Sequence, residues 1–223
     1  MPTGLLDGDA LVRGAQALGV ALSPPQCAAL LRYSALLLKW NRTHNLTAIE
    51  REDEVLTHHL LDSLALVPAV MATTAGVAPP VRLLDVGSGG GLPAVPLAIA
   101  VPSLHVTAVD KVQKKVAFIT QARVELGIGN LAAVATRVEN WRPEQPFALI
   151  TSRAFAGLAE FVALTRHLLA PGGRWLAMKG QRPDTELAAL PPDIAVVSVR
   201  AVQVPGLDEA RHLIELQPAD GTP

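Results

Sequence analysis

Between residues 81 and 178, five short apolar runs alternate with helical stretches, and no other feature of the 223-residue chain limits its fold so sharply. The runs are 81–86, 104–109, 131–135, 147–151 and 174–178. Each has five or six residues and is flanked on at least one side by Gly, Pro, Asn or Asp, the pattern of buried strands rather than helices. Residues 112–126 read as a helix stopped by Gly127, and about 157–170 as another closed by Pro171-Gly172-Gly173. Strands separated by helices build a mostly parallel sheet with helices on both faces. The tail segments 194–204 and 210–216 predict a closing antiparallel pair.

The chain before residue 80 reads differently. Residues 9–20 form a short helix closed near Gly19. Ser23-Pro24-Pro25-Gln26 has the form of a capping box, with Pro at the first helical position, and opens a helix to about Trp40. Residues 41–47 are polar and turn-like, and a third helix follows over roughly 51–71. Ala78-Pro79-Pro80 marks a boundary between an N-terminal helical extension, 1–80, and a sheet domain, 81–223. No 18 consecutive residues are all apolar, so no transmembrane helix is predicted. The first ten residues carry Asp7 and Asp9 without a basic stretch and do not read as a secretory leader. The single cysteine, Cys27, leaves no intrachain disulfide and no all-cysteine metal site, which fits a reducing cytoplasm.

The most informative stretch is Leu84-Asp85-Val86-Gly87-Ser88-Gly89-Gly90-Gly91-Leu92-Pro93. It follows a predicted strand and precedes a helix, so its glycines let a ligand approach the backbone and meet amides at the helix N-terminus. A dinucleotide loop of the form Gly-x-Gly-x-x-Gly would need glycine where Leu92 stands. The spacing here is Gly-x-Gly-x-Gly, with Asp85 two residues before the first glycine. That arrangement resembles the first motif of Rossmann-type methyltransferases, which use S-adenosyl-L-methionine, and points to Asp85, Gly87 and Gly89 as cofactor contacts. Asp110 ends the next strand, nineteen residues after Gly91, where a carboxylate can accept from both ribose hydroxyls of an adenosine.

Net charge is −1, but its distribution is uneven. Residues 81–182 hold twelve basic and six acidic residues, and the flanks are acidic. A basic middle section suggests an anionic substrate. Cytosine C5 methylation would need a cysteine in the sheet domain, and Cys27 lies outside it. The Asn/Asp-Pro-Pro-aromatic motif of many adenine amino-methyltransferases is replaced by Thr151-Ser152-Arg153-Ala154-Phe155. His58 and His59 are adjacent, point to different faces of a helix, and suit packing or hydrogen bonding better than metal ligation. No metal is expected.

Ser152-Arg153-Ala154-Phe155, the glycine loop and Met178-Lys179-Gly180-Gln181 together resemble the bacterial glucose-inhibited division protein B family. The helical segment agrees through Trp40-Asn41-Arg42-Thr43-His44-Asn45-Leu46-Thr47-Ala48-Ile49, His59 and Asp62-Ser63-Leu64. The resemblance implies a Rossmann-type methyltransferase that transfers a methyl group to N7 of a guanine in a decoding-region loop of 16S ribosomal RNA. It implies cofactor contacts at Gly87, Leu92, Val138, Glu139 and Arg153, with Arg153 also facing the target base as the catalytic residue. Ala94 departs from the family's usual glycine just inside the helix. Lys111, Lys115, Lys179 and Arg182 are expected to hold RNA phosphates, since the first, third and fourth follow strand ends. The expected partner is small-subunit RNA or the assembling small subunit, met by a cytoplasmic monomer with no membrane contact. A small-molecule methyltransferase and a non-catalytic RNA module remain alternatives on the same fold.

Overall fold

The structure, a computed structural model, describes residues 7–219. The ends of both expected segments, and most of the N-terminal stretch weighed as a leader, lie outside the described residues. Seven strands form one sheet: β1 (Val81–Val86), β2 (Leu104–Asp110), β3 (Leu131–Ala135), β4 (Phe147–Arg153), β5 (Leu169–Lys179), β6 (Ile194–Val202) and β7 (Arg211–Pro218). Their order is β3-β2-β1-β4-β5-β7-β6. β1 to β5 run parallel, and β7 joins β5 and β6 antiparallel. The order reverses between β1 and β4. The connections leaving those two strands therefore diverge and open a crevice at their carboxyl ends.

Both faces of the central strands β1, β2 and β4 are buried, as parallel strands require. Adjacent residues alternate between two cores: Leu83, Leu149, Leu176 and Leu213 belong to one, and Leu84, Ile150, Trp175 and Ile214 to the other. Helices α1 (Gly8–Ala17), α2 (Pro24–His44), α3 (Val67–Thr73), α4 (Ala94–Ala100) and α5 (Gln113–Leu126) contribute to the first core. Helix α6 (Leu158–Thr165) covers the opposite face. The helices before residue 80 share one continuous apolar cluster with the sheet, from Leu11 to Leu213.

Several elements differ from the sequence reading. Helix α2 runs four residues past Trp40, because Asn45 rather than Asn41 takes the left-handed conformation that ends it (φ +48°). The expected helix over 51–71 is interrupted. Glu52–Glu54 leads into a π-helical turn, Val55–Leu61, then Asp62–Leu64, before α3 begins. The Val55–Thr73 stretch is long and apolar enough to cross a membrane, with a mean hydropathy of 1.4, yet 67% of that window is buried inside the protein. The helix expected over 157–170 ends earlier. Residues 169–173 join β5, where Gly172 at φ +71° permits an irregular strand start and Leu169 pairs with Phe147. A short helix α7 (Asp184–Ala188) had no signal in the sequence reading.

The capping box forms, and it also ties the helices together. Gln26 Oε1 accepts from the Ser23 backbone N–H at 2.8 Å, while Gln26 Nε2 donates to the carbonyls of Ile99 and Ala100 at 2.9 and 3.0 Å. One side chain thus closes the start of α2 and the end of α4. Gln26→Ala leaves these groups unpaired and is expected to lower stability by about 2 kcal/mol in urea unfolding. A change below about 0.5 kcal/mol would show that water replaces the glutamine without loss.

Candidate active site

The glycine loop lies between β1 and α4, at the reversal of strand order. Gly87 and Gly91 have φ of +70° and +87°. A Cβ on Gly87 would stand 2.7 Å from Phe155 Cδ2, and one on Gly91 2.6 Å from Val95 Cγ2, so neither position accepts a larger residue. Five of the six amides from Gly87 to Leu92 are already used inside the protein. Gly87 and Ser88 donate to the Val109 carbonyl at 2.8 and 3.1 Å, and Gly91 and Leu92 donate to the Ser88 carbonyl at 2.7 and 2.9 Å. Gly89 donates to Asp110 Oδ2 at 3.0 Å. The loop therefore offers a ligand the expected close approach to its backbone, but few free amides to meet there. This suits a cofactor that presents no phosphate.

Two supports fix the loop from below. Tyr33, fully buried, donates its hydroxyl to the Gly90 carbonyl at 2.6 Å. Asp85, also fully buried, accepts from the Ala94 N–H through Oδ2 at 3.2 Å, and its Oδ1 has no partner. Burial pushes the Asp85 carboxyl up to about 7, against the bond from Ala94 and the guanidinium of Arg153. The methyl of Ala94 is accommodated with the residue wholly buried.

Two cavities of about 400 Å³ each flank the loop and share Gly87 and Ala154. The first is lined by Asp110, Val138, Glu139, Phe155, Lys111 and Lys115, among others. Asp110 Oδ1 accepts from the Val112 N–H at 2.8 Å. With one N–H on each oxygen, the carboxylate keeps further lone pairs for a ligand. Lys115 Nζ lies 4.0 Å from Asp110 Oδ2.

The second cavity is lined by Gly89, Leu92, Thr47, Asp62, Arg153 and Lys179, and also by Arg211. Asp62, 2% exposed, is shared by two arginines: Arg153 donates to Oδ2 and Arg211 to Oδ1, each at 2.9 Å. Arg153 also donates to the His58 carbonyl at 2.7 Å. A buried carboxylate needs such pairing. Behind Thr47 stands buried His59, whose Nε2 is 2.8 Å from Thr47 Oγ1. Burial, helped by the nearby Arg153 charge, pushes His59 down to about 4, so the ring is neutral at pH 7. Ala154, at φ +52°, separates Arg153 in the second cavity from Phe155 in the first.

The structure brings together most of the residues expected from sequence. Gly87 lines both cavities, Gly89, Leu92, Arg153 and Lys179 line the second, and Asp110, Val138, Glu139, Lys111 and Lys115 line the first. Asp85 lines neither and sits beneath the loop as its support. Arg182 also lines neither and pairs with Asp184 at 2.7 Å. Lys179 is held by the Ala156 carbonyl at 2.7 Å and by Glu186 at 2.8 Å. Sequence reasoning assigned no role to Asp62, Thr47 or Arg211. Asp62 carried a signal, being the only Asp or Glu between 55 and 73 in an otherwise apolar stretch. Arg211 is one of only two basic residues in the acidic segment 183–223. Among the described residues, no group of three or more His, Cys, Asp or Glu could hold a metal ion.

Strand order, loop and paired cavities define a Rossmann-type methyltransferase. Solved structures agree at the level of the fold. The glycopeptide N-methyltransferase MtfA superposes with a TM-score of 0.58 at 14% identity, covering 71% of this chain and 95% of that one. TrmN from Thermus thermophilus gives 0.54 at 23% identity, covering 70% and 48%. The family model for rRNA small subunit methyltransferase G matches residues 26–214, and the chain belongs to that family. It is 54% identical over 210 residues to the ribosomal RNA small subunit methyltransferase G of Ralstonia nicotianae, covering 94% of each chain. It is 50% identical to the protein of the same name from Laribacter hongkongensis, covering 92% of this chain and 96% of the other.

Asp85 makes stability depend on pH. Its carboxyl, raised in the folded state, favours the folded form fully below about pH 4, and that contribution is lost as pH rises towards about 7. Asp85→Asn cannot ionise. The stability of wild type relative to Asp85→Asn, measured by urea unfolding without added cofactor, is expected to fall by roughly 1.4 kcal/mol per pH unit across this window. A difference independent of pH would mean that Asp85 ionises as readily folded as unfolded.

Proposed function

We propose that this chain transfers a methyl group from S-adenosyl-L-methionine to N7 of a guanine in a decoding-region loop of 16S ribosomal RNA. One observation carries the choice of N7. The titratable groups lining the second cavity are Arg153, Arg211, Lys179 and Asp62, and the single carboxylate is already shared by two arginines. Among the described residues, no free base faces that cavity. Methylating an amine or a hydroxyl calls for a group to accept a proton, whereas guanine N7 presents a free lone pair and requires none.

The cavities suit the cofactor. Asp110 keeps acceptor capacity for the ribose hydroxyls, with Val138 and Glu139 beside it, and Gly87 admits the ligand between the two cavities. Gly89, Leu92 and Arg153 line the side where the amino-acid end would lie. When bound, the cofactor supplies a positively charged sulfonium whose methyl group is open to attack. The chain's own task is to hold the base in line, a proximity effect, with Arg153 fixed by Asp62 and the His58 carbonyl. RNA major grooves are too deep and narrow to present N7, so the target base must be in a loop.

In this reading the helical extension, through Leu46, Thr47 and Asp62, helps wall the substrate side and the sheet domain holds the cofactor, in a monomer working in the cytoplasm. The RNA, free or in the assembling small subunit, is met by a basic rim. Lys111 and Lys114 are exposed there and have no ion-pair partner among the described residues. Lys115 and Lys179 are turned to internal partners, and Arg182 to Asp184.

Mapping 7-methylguanine on 16S RNA from cells with and without the gene tests the reading. The modified position is expected to disappear with the gene, and an unchanged map would refute it. Two variants separate the roles. Asp110→Asn, which keeps the shape of the carboxylate but not its charge, should weaken cofactor binding about tenfold or more in calorimetry. Lys111→Ala should leave cofactor affinity alone and lower the log–log salt slope of RNA binding by up to about one unit.

A further inference from the structure

The wall of the second cavity holds a hydroxyl whose direction is set from behind. Thr47 is fixed through its backbone, because its N–H donates to Asn41 Oδ1 at 2.9 Å. Its Oγ1 accepts from the Ile49 N–H at 3.1 Å and lies 2.8 Å from His59 Nε2. The other ring nitrogen, His59 Nδ1, is buried with no partner. A buried N–H without a partner is rarer and costlier than a buried lone pair without one. The ring's single proton therefore sits on Nε2 and points at Thr47 Oγ1, and the Arg153 charge opposes adding a second. Two donors then occupy both lone pairs of Thr47 Oγ1. Its own proton is the group left over, on a residue that lines the cavity.

The Hoogsteen edges of guanine and adenine both present N7 as an acceptor. They differ at the six-position, where guanine has an acceptor, O6, and adenine a donor, the N6 amino group. An enzyme that methylates N7 leaves that nitrogen free, and on the Hoogsteen edge the atom that tells the two purines apart is the neighbouring one. The cations around the cavity already pair with Asp62 and Glu186, Arg153 through one guanidinium nitrogen and Arg211 through another, and each keeps its full charge. Thr47 supplies a neutral donor of fixed direction.

We propose that Thr47 donates a hydrogen bond to O6 of the target guanine, and that His59 acts as its positioning residue by filling the lone pair from which Thr47 would otherwise accept. This rests on the guanine-N7 reading above and adds to it the group that selects the base. Adenine would bring its amino N–H against the threonine hydroxyl proton, leaving two donors facing each other with no acceptor between them.

A chemical double-mutant cycle tests it. Small-subunit RNA fragments carry at the target position either guanine or 2-aminopurine, which keeps N7 and the amino group but lacks O6. Wild type, Thr47→Val, Thr47→Ser and His59→Phe are compared by the rate of labelled methyl transfer, with cofactor affinity measured by calorimetry. The intrinsic difference in N7 reactivity between the two bases cancels in the comparison. The guanine-to-2-aminopurine rate ratio is expected to fall about tenfold in Thr47→Val and in His59→Phe, and to stay near wild type in Thr47→Ser. Cofactor affinity should change less than about twofold in Thr47→Val. Thr47→Ala serves the same comparison if Thr47→Val does not fold. A wild-type ratio in Thr47→Val overturns the assignment, and a wild-type ratio in His59→Phe removes the histidine's part in it. If wild type methylates guanine N7 but these ratios do not move, only this inference fails. If wild type transfers no methyl group to the RNA, the functional reading fails and takes the inference with it.

Discussion

The turn from β1 into α4 must bring a ligand against bare backbone while keeping its own polar groups satisfied, and much of the molecule is arranged around that demand. Positive φ at Gly87, Gly89 and Gly91 folds the chain back on itself. The amides then find partners in the Val109 and Ser88 carbonyls and the Asp110 carboxylate. Each support comes from a different element: Tyr33 from α2, Asp85 from the end of β1, and Asp110 from the end of β2. The helical extension is therefore part of the loop's foundation. The Asp110 carboxylate that accepts from Gly89 also lines the first cavity, so loop support and cavity wall share one side chain.

The two cavities divide the chemistry by charge. The first mixes carboxylates and lysines, and the second holds cations around one fully engaged carboxylate. Asp62 is the pivot of the second. It joins β4 and β7 through their arginines and, through the π-helical turn that precedes it, brings His59 behind Thr47. Its burial would be costly for an isolated ion. The paired guanidinium groups offset that cost and in return are held at fixed positions on the cavity wall.

The sheet was readable because its signals are local. Short apolar runs, turn glycines and the capping box at Ser23 each state their structure within a few residues, and the strands fall where the runs predict. The grouping of residues around the first cavity was equally legible, because the loop and Asp110 sit at strand ends whose spacing is visible along the chain. The opposite wall was not. Thr47, Asp62 and Arg211 lie far apart in sequence and meet only after β7 pairs with β5 and the extension packs on the sheet. The break in the helix over 51–71 also escaped the reading, since a π-helical turn leaves the apolar composition of a helix unchanged. Asp85 was assigned to the ligand by its place in the motif. Its burial, which only the folded chain reveals, makes it a support instead.

The single apolar cluster running from Leu11 in the first helix to Leu213 in β7 welds the helical wall of the second cavity to the sheet. A wall anchored in this way cannot swing aside as a hinged lid would, because opening it would expose the core that both halves share. The burden of rearrangement then falls on the nucleic acid. Under the proposed guanine-N7 reading, a guanine stacked in its loop has to swing out of its neighbours' stack to reach the methyl group, so the cost of that extrusion becomes a property of the RNA. An RNA whose loop already leaves the base unstacked is favoured before any contact is made, and the fold of the RNA becomes a first filter on where the methyl group is placed.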